Sequence, residues 1–322
     1  MKYSYYPGCS LERNAYAYHQ SAMAVAKPLG LELVEIDDWN CCGATEYISI
    51  NSLAAFSLVA RNLALASKGE ENGHKLVAPC SACYLNLTKT EKVMLESPDI
   101  AEKINLALAE GDLNYKPGGM GIHHLLDIIV NDIGYDLVAE NVTNPLKGLK
   151  IAPYYGCMIV RPAYLGEFDN PEYPITLDKL MEALGAEVVD YPVKAHCCGG
   201  HMTQISDTVA FDIIYRLLKN AVDYDADVIV TLCPMCQLNL DAYQDGVNKQ
   251  FNTNFNIPIL YFTQLMGLAF GLPPSELGIG KEFVDAKPAL SKIGVEVPPA
   301  EDEPKKKPPK EALPMPRLPE EK

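Results

Sequence analysis

The sequence is short of several things, and each shortage excludes something. Its 322 residues include one tryptophan and six histidines. Basic residues number 27 against 42 acidic ones, a formal net charge of −15. A surface of that sign repels a phosphate backbone, so nucleic acid is not an expected partner. No apolar run approaches the roughly 20 residues of a membrane helix. The nearest, "YFTQLMGLAFGL" at 261–272, is too short, so no direct membrane insertion is expected. The opening "MKYSYYPGCS" has neither a basic leader nor an apolar stretch, so no export signal is expected, and a cytoplasmic location is. No Gly-x-Gly-x-x-Gly occurs, so the chain should rely on partners for electrons if it carries redox chemistry. The remainder, 48% hydrophobic and 21% charged, is ordinary for a globular chain with a core large enough to need no disulfide staples.

Cysteine is abundant. The ten cysteines are Cys9, Cys41, Cys42, Cys80 and Cys83, then Cys157, Cys197, Cys198, Cys233 and Cys236. The first five read C-x31-CC-x37-C-x2-C and the second five C-x39-CC-x34-C-x2-C, with none left over. The neighbours repeat too. "YYPGCSLER" (5–13) matches "YYGCMIVR" (154–161), "NCCGA" (40–44) matches "HCCGG" (196–200), and "APCSACYLNL" (78–87) matches "TLCPMCQLNL" (231–240). Matching positions lie about 150 residues apart, a domain-sized interval, so the chain reads as two duplicated halves.

Short apolar stretches at 2–6, 31–36, 75–79, 149–155, 186–191 and 227–232 predict strands. Helical spacing covers Ala15–Leu29, Ser49–Ser67, Tyr173–Leu184 and Thr203–Val222. Alternation of the two predicts an α/β fold of two pseudo-symmetric halves, each a mainly parallel sheet with helices, over 1–147 and 148–290. A join at "NVTNPLKG" (141–148) carries linker chemistry. Each cysteine group then follows a strand and precedes a helix, the rim where open parallel sheets bind ligands and where helix N-termini favour thiolate. The end of the chain, 291–322, departs from this pattern. From Pro298 to Lys322 eight of 25 residues are proline, the composition of a solvated tail or of a strap across a partner subunit.

Four chemistries use patterned thiols. Disulfides need an oxidising compartment and leave an odd cysteine in each half. A thioredoxin-type dithiol explains C-x-x-C but neither the CC pair nor the lone first cysteine. Tetrahedral zinc takes four ligands and idles one. An iron–sulfur centre suits an all-thiolate set, and a fifth ligand points to an unusual cluster.

The cysteine pattern with glycine after CC resembles the cysteine-rich CCG motif. Two copies in one chain resemble the catalytic B subunit of heterodisulfide reductase over about residues 1–290. CCG domains also occur in lactate-utilisation proteins, glycerol-3-phosphate dehydrogenase anchors and thiol:fumarate reductases. The resemblance implies two noncubane 4Fe-4S clusters, one held by Cys9, Cys41, Cys42, Cys80 and Cys83, the other by Cys157, Cys197, Cys198, Cys233 and Cys236. It implies a disulfide substrate cleaved or formed between them. It also implies a ferredoxin-like C subunit and a flavin-containing A subunit as partners. The alternative functions are an electron-transfer or scaffold subunit with structural metal, and a reductase of another thiol or sulfur acceptor.

Other residues acquire candidate roles beside that resemblance. Arg13 and Arg161 each follow the first cysteine by four positions, and a guanidinium fork suits an anionic substrate arm; the plainer role is a solvated or ion-paired arginine. His196, before the second CC, is a candidate proton donor to a product thiolate or a backbone hydrogen-bond partner, with His201 a weaker one. His123 and His124 are expected at a helix start in a core or capping role. Gly43, Gly199 and Gly200 are expected to supply tight turns, and Trp39 to pack over the first ligand loop.

Overall fold

A computed structural model describes residues 1–44, 47–69, 75–163 and 168–297. Among the described residues eight strands form two four-stranded sheets, every pairing parallel. The first holds β1 (Lys2–Tyr5), β2 (Glu32–Glu35), β3 (Lys75–Ala78) and β4 (Gly121–His124) in the order β2-β1-β3-β4. The second holds β5 (Lys150–Tyr154), β6 (Glu187–Val188), β7 (Val228–Thr231) and β8 (Ile259–Tyr261) in the order β6-β5-β7-β8. The two halves therefore share one topology. The fold class is the expected one: duplicated α/β halves with parallel sheets.

Strands inside a parallel sheet are buried on both faces, which is why β1, β3, β5, β7 and β8 are short, largely buried runs, while edge strand β2 keeps Glu32 and Glu35 exposed. All four residues of β7, Val-Ile-Val-Thr, are buried. Two strands were not expected. Gly121–His124 carries two histidines and runs straight into a helical turn, so periodicity points to a helix there. Ile259–Tyr261 is the front of an apolar stretch whose remainder forms the Phe262–Ala269 helix. The expected strand at 186–191 shrinks to two residues. Tyr191 leaves the sheet and is buried, with its hydroxyl donating to the Leu217 carbonyl at 2.9 Å.

Polar caps set the helix boundaries. The helical stretch expected from Ser49 breaks at Asn51, whose side chain accepts from the Ala54 amide at 3.0 Å and starts the Ser52–Ser67 helix. Asp169 accepts from the Ile175 and Thr176 amides at 2.8 and 2.7 Å, so the next helix begins at Thr176 rather than Tyr173. Ser206 caps Asp207–Asp223 in the same way, behind a 3-10 turn at Gly200–Gln204.

The halves are packed together. The main apolar core contains side chains from both, and the Tyr16–Ala26 helix of the first half packs on the Phe262–Ala269 helix of the second. Tyr18 stacks on Tyr261 with ring centres 4.3 Å apart and planes 6° from parallel. Ser21 and Thr263 share a buried hydroxyl–hydroxyl bond of 2.6 Å. The proline-rich segment 298–322, expected as a tail or strap, lies outside the described residues.

Candidate metal centre

In each sheet the chain order reverses between the two central strands, β1 and β3 or β5 and β7, and such reversals open a crevice at the strands' carboxyl ends. Cys9 follows β1 and Cys80 follows β3; Cys157 follows β5 and Cys233 follows β7. Cys80 caps the Ser81–Glu96 helix and Cys233 caps Pro234–Ala242, with Cys83 and Cys236 in their first turns. The CC pair comes from the loop after the second strand of each half. Three loops thus bring five thiols together at the rim, as their positions in the sequence predict.

Backbone geometry packs the first loop against the C-x-x-C helix. Gly8 and Gly156, the residues before the first cysteine of each set, have φ of +75° and +69°. A Cβ at either would sit 2.9 Å from a sulfur, Cys83 Sγ and Cys236 Sγ respectively. Only glycine permits both the left-handed backbone and that approach.

The CC turn is held from two sides. A buried tyrosine at each strand end donates to the carbonyl before the CC pair: Tyr6 to Asn40 and Tyr154 to His196, both at 2.7 Å. An asparagine on each C-x-x-C helix clasps the turn from below. Asn239 Nδ2 reaches the Cys198 carbonyl at 3.3 Å and the Gly200 carbonyl at 2.8 Å. Asn86 does the same to the carbonyls of Cys42, at 3.2 Å, and Ala44. These asparagines lie in the repeated Leu-Asn-Leu of the two C-x-x-C segments. The repeat was visible in the sequence; their role as clasps was not assigned from it.

The thiols interact as acids and bases. Cys9 and Cys41 sulfurs are 3.5 Å apart, as are those of Cys42 and Cys83. Hydrogen bonds from Cys42 and Cys9 bring Cys41 down to about 2. Bonds from Cys157 and Cys198, with the Gly199 amide 3.3 Å from the sulfur, bring Cys197 down to about 2. The donors move the other way: Cys9 and Cys157 are raised, and Cys198 is pushed up to about 12, each first by its bond to the neighbouring thiolate. One electrostatic coupling crosses between the halves. Cys80 is raised first by its bond to Cys233, and Cys233 is lowered by bonds from Cys236 and Cys80.

The seam between the halves is polar and buried. The Tyr18 hydroxyl lies 3.1 Å from the Pro79 carbonyl and 3.3 Å from that of Leu232, the residues before Cys80 and Cys233. His124 ends β4 and caps the following turn, its Nδ1 accepting from the Leu126 amide at 3.1 Å. It is fully buried, which lowers its pKa to about 4 and keeps the ring neutral, with the proton on Nε2. The expected capping role holds for His124. His123 belongs to β4, and its Nδ1 is 2.6 Å from Asp127.

All five cysteines of the second set line one cavity of about 40 Å³, with Tyr155, Met158 and Met235. Gly200 and His201 complete the second half's share, and the rest of the wall, Ala44, Ser81 and Ala82, comes from the first half. Among the described residues no three His, Cys, Asp or Glu side chains form a single-ion cage. The sulfurs surround a space instead of converging on a point. Five soft donors around a cavity fit a polynuclear iron–sulfur centre better than one tetrahedral zinc.

The remaining predicted residues are placed less uniformly. Arg13 is exposed on the first cysteine loop. Arg161 donates to the Ala195 carbonyl at 2.9 Å and pairs with Glu172 at 3.2 Å, so it braces the loop that leads to Cys197. His196 is exposed at the rim beside Cys197, and His201 lines the second cavity. Trp39 packs edge-on against Tyr6 and donates to Glu35 at 2.9 Å. One support had no counterpart among the residues singled out from the sequence. Lys194, 1% exposed, pairs with Asp178 at 2.8 Å and lies 3.8 Å over the Tyr173 ring.

Comparison with known proteins agrees with this architecture. The cysteine-rich domain family CCG matches residues 3–88 and 151–241. The chain is 33% identical over 285 residues, 88% of its length and 98% of the relative's, to the membrane anchor of the 8-methylmenaquinol:fumarate reductase of Wolinella succinogenes. It is 29% identical over 300 residues, 91% of its length and 97% of the relative's, to the B subunit of the ferredoxin/F(420)H(2)-dependent CoB-CoM heterodisulfide reductase of Methanosarcina acetivorans. It is 31% identical over 282 residues, 86% and 93% of the two chains, to a protein of Archaeoglobus profundus that is itself described as like the heterodisulfide reductase B subunit. A crystal structure of a hypothetical protein from Helicobacter pylori shares the fold at TM-score 0.69 and 15% identity, covering 88% of this chain and about half (52%) of that one.

Proposed function

The chain belongs to the cysteine-rich CCG family, in the two-copy form of the heterodisulfide reductase B subunit, and from that premise we propose that it is the catalytic iron–sulfur component of a heterodisulfide reductase-like complex. Cys9, Cys41, Cys42, Cys80 and Cys83 hold one noncubane 4Fe-4S cluster, and Cys157, Cys197, Cys198, Cys233 and Cys236 hold the other. Bound there, two clusters would supply two one-electron centres, the number of electrons an S–S bond needs. The substrate is a disulfide, cleaved or formed at the seam. Electrons come from a ferredoxin-like C subunit fed by a flavin-containing A subunit, as parts of one complex.

The observation that carries this reading is that the cavity bounded by the second five-thiol set takes part of its wall, Ala44, Ser81 and Ala82, from the two cysteine segments of the first half. Two unrelated structural sites have no reason to meet; two halves of one two-electron site do. The protein's own part is positional. Asn86 and Asn239 hold the CC turns, Gly8 and Gly156 let the first loop close on the C-x-x-C helix, and the apolar wall of the second cavity limits water. Arg13, exposed on its loop, is available to an anionic substrate arm. His196 is exposed at the rim, where a proton for a departing thiolate is needed.

The fumarate reductase relative favours a second reading, an electron-transfer component of a reductase with another acceptor. Its name includes a membrane anchor; among the described residues of this chain no helix is long and apolar enough to cross a membrane. Titration of the anaerobically purified, oxidised complex with alkyl disulfides and their thiols under EPR separates the two. The disulfide reductase reading expects a new paramagnetic signal that depends on the sulfur compound. Signals indifferent to every thiol and disulfide, with turnover of fumarate, would refute it in favour of the second.

A further inference from the structure

The two halves repeat each other closely, so a departure from the repeat beside the cysteines is informative. Position 81, directly after Cys80, is serine, and its counterpart after Cys233 is Pro234. Ser81 opens the Ser81–Glu96 helix of the first half, but it lies in the wall of the cavity surrounded by the second cysteine set. It is 1% exposed, and its hydroxyl has no hydrogen-bond partner among the described residues.

An unpaired hydroxyl inside a protein is costly, on the order of 1–3 kcal/mol, and persists where a ligand completes it. The wall offers little to complete it. The neighbouring groups are thiols, Ala44, Ala82, Tyr155, Met158, Met235, Gly200 and His201; none of them bonds the Ser81 hydroxyl, and the Gly200 carbonyl accepts from Asn239. The acceptor must therefore be part of what fills the cavity. In a space bounded by five cysteine sulfurs, that acceptor is a soft, electron-rich sulfur.

We infer that Ser81 reaches across the seam and donates a hydrogen bond to an anionic sulfur held at the second cysteine set, a donor that the first set lacks because its counterpart is Pro234. The inference rests on the iron–sulfur reading above. It makes the two centres chemically unequal: the second stabilises negative charge on sulfur, so of two unlike fragments from a disulfide the better thiolate is held there. Ser81 is a positioning and charge-stabilising residue and transfers no proton, since its hydroxyl remains neutral throughout. The sulfur has two sources, a sulfide of the resident cluster or the thiolate of a bound fragment. Hydrogen bonds to cluster sulfur raise a reduction potential by stabilising the more negative reduced form, whereas a bond to a fragment acts on affinity.

The test compares Ser81→Ala with wild type in the intact complex, by iron content, by EPR-monitored redox titration without added thiol, and by EPR titration with 2-mercaptoethanol. If the acceptor is cluster sulfide, S81A lowers the potential of one centre only. If it is a fragment thiolate, potentials stay put and the 2-mercaptoethanol concentration for half-maximal signal rises roughly tenfold to a hundredfold, the range for a bond to a charged group. Either result supports the inference, and Ser81→Thr should restore what S81A loses. Should S81A load iron poorly, Ser81→Thr and Ser81→Val are close in shape and differ in the hydroxyl, and the same comparison is made between them. Unchanged potentials with unchanged 2-mercaptoethanol response overturn the inference, as does equal loss of iron from both sets. A wild-type protein without iron overturns the iron–sulfur reading as well, so the two failures are distinct.

Discussion

Replacing Gly156 by alanine tests the packing of the second site with one methyl group. Gly156 has φ +69°, where an L-residue costs roughly 1–2 kcal/mol. The added Cβ would also stand 2.9 Å from Cys236 Sγ, a separation that real Cβ atoms do not tolerate, so the sulfur or the loop must move. Ligand distances at a metal site are held to about ±0.2 Å, and a shift of several tenths removes a ligand. Gly148→Ala supplies the control: it has φ +87° and open space around its Cβ position, so it carries the backbone cost alone. Both variants should melt at lower temperature. Only G156A should lose iron, about half of the wild-type content, with the signal of one centre missing from the EPR spectrum. The mirror variant G8A should remove the other centre through Cys83. A G156A protein with full iron and an unaltered spectrum, or a G148A protein with the same deficit, would refute the argument that these glycines exist to admit the sulfurs.

Other substitutions probe separate parts of the account. Cys42→Ala or Cys198→Ala should remove one centre and leave the other loaded, while disulfide turnover falls to background; near-normal turnover contradicts a site that needs both sets. Arg13→Ala should raise KM for an anionic disulfide about tenfold to a hundredfold with kcat little changed, and Arg13→Lys should recover part of the loss. Arg161→Ala, whose guanidinium is already engaged by Ala195 and Glu172, should show a smaller KM effect in the same kinetics. Lys194→Met leaves the Asp178 carboxylate without its buried partner and should cost roughly 3–5 kcal/mol in thermal or urea unfolding, relieved by adding Asp178→Asn. Equal stability of K194M and wild type would show that the pair contributes nothing.

The duplication, the two sets of five cysteines and their sheet-rim placement were legible because cysteine is rare, the spacings repeat and parallel sheets bind at one edge. The spaced Leu-Asn-Leu was equally visible, yet the task of Asn86 and Asn239 depends on a turn some 40 residues away in the chain, which spacing alone does not reveal. Two strands were missed for local reasons. His123 and His124 mask β4, and β8 merges with the helix that follows it. The seam was out of reach for a different reason. Tyr18, His124, Tyr261 and Ser81 acquire meaning only when one half is laid against the other, and nothing in periodicity states how two sheets face. The same holds for Lys194, whose partner Asp178 lies 16 residues earlier on another element.

The central claim is that ten cysteines hold two iron–sulfur centres. Its most direct test is the iron, acid-labile sulfide and zinc content of anaerobically purified protein, counted per chain. The account predicts iron and sulfide in near-equal amounts, in quantities for two four-iron clusters, with negligible zinc. Two zinc ions per chain and no iron would contradict it, and the redox function would fall with it.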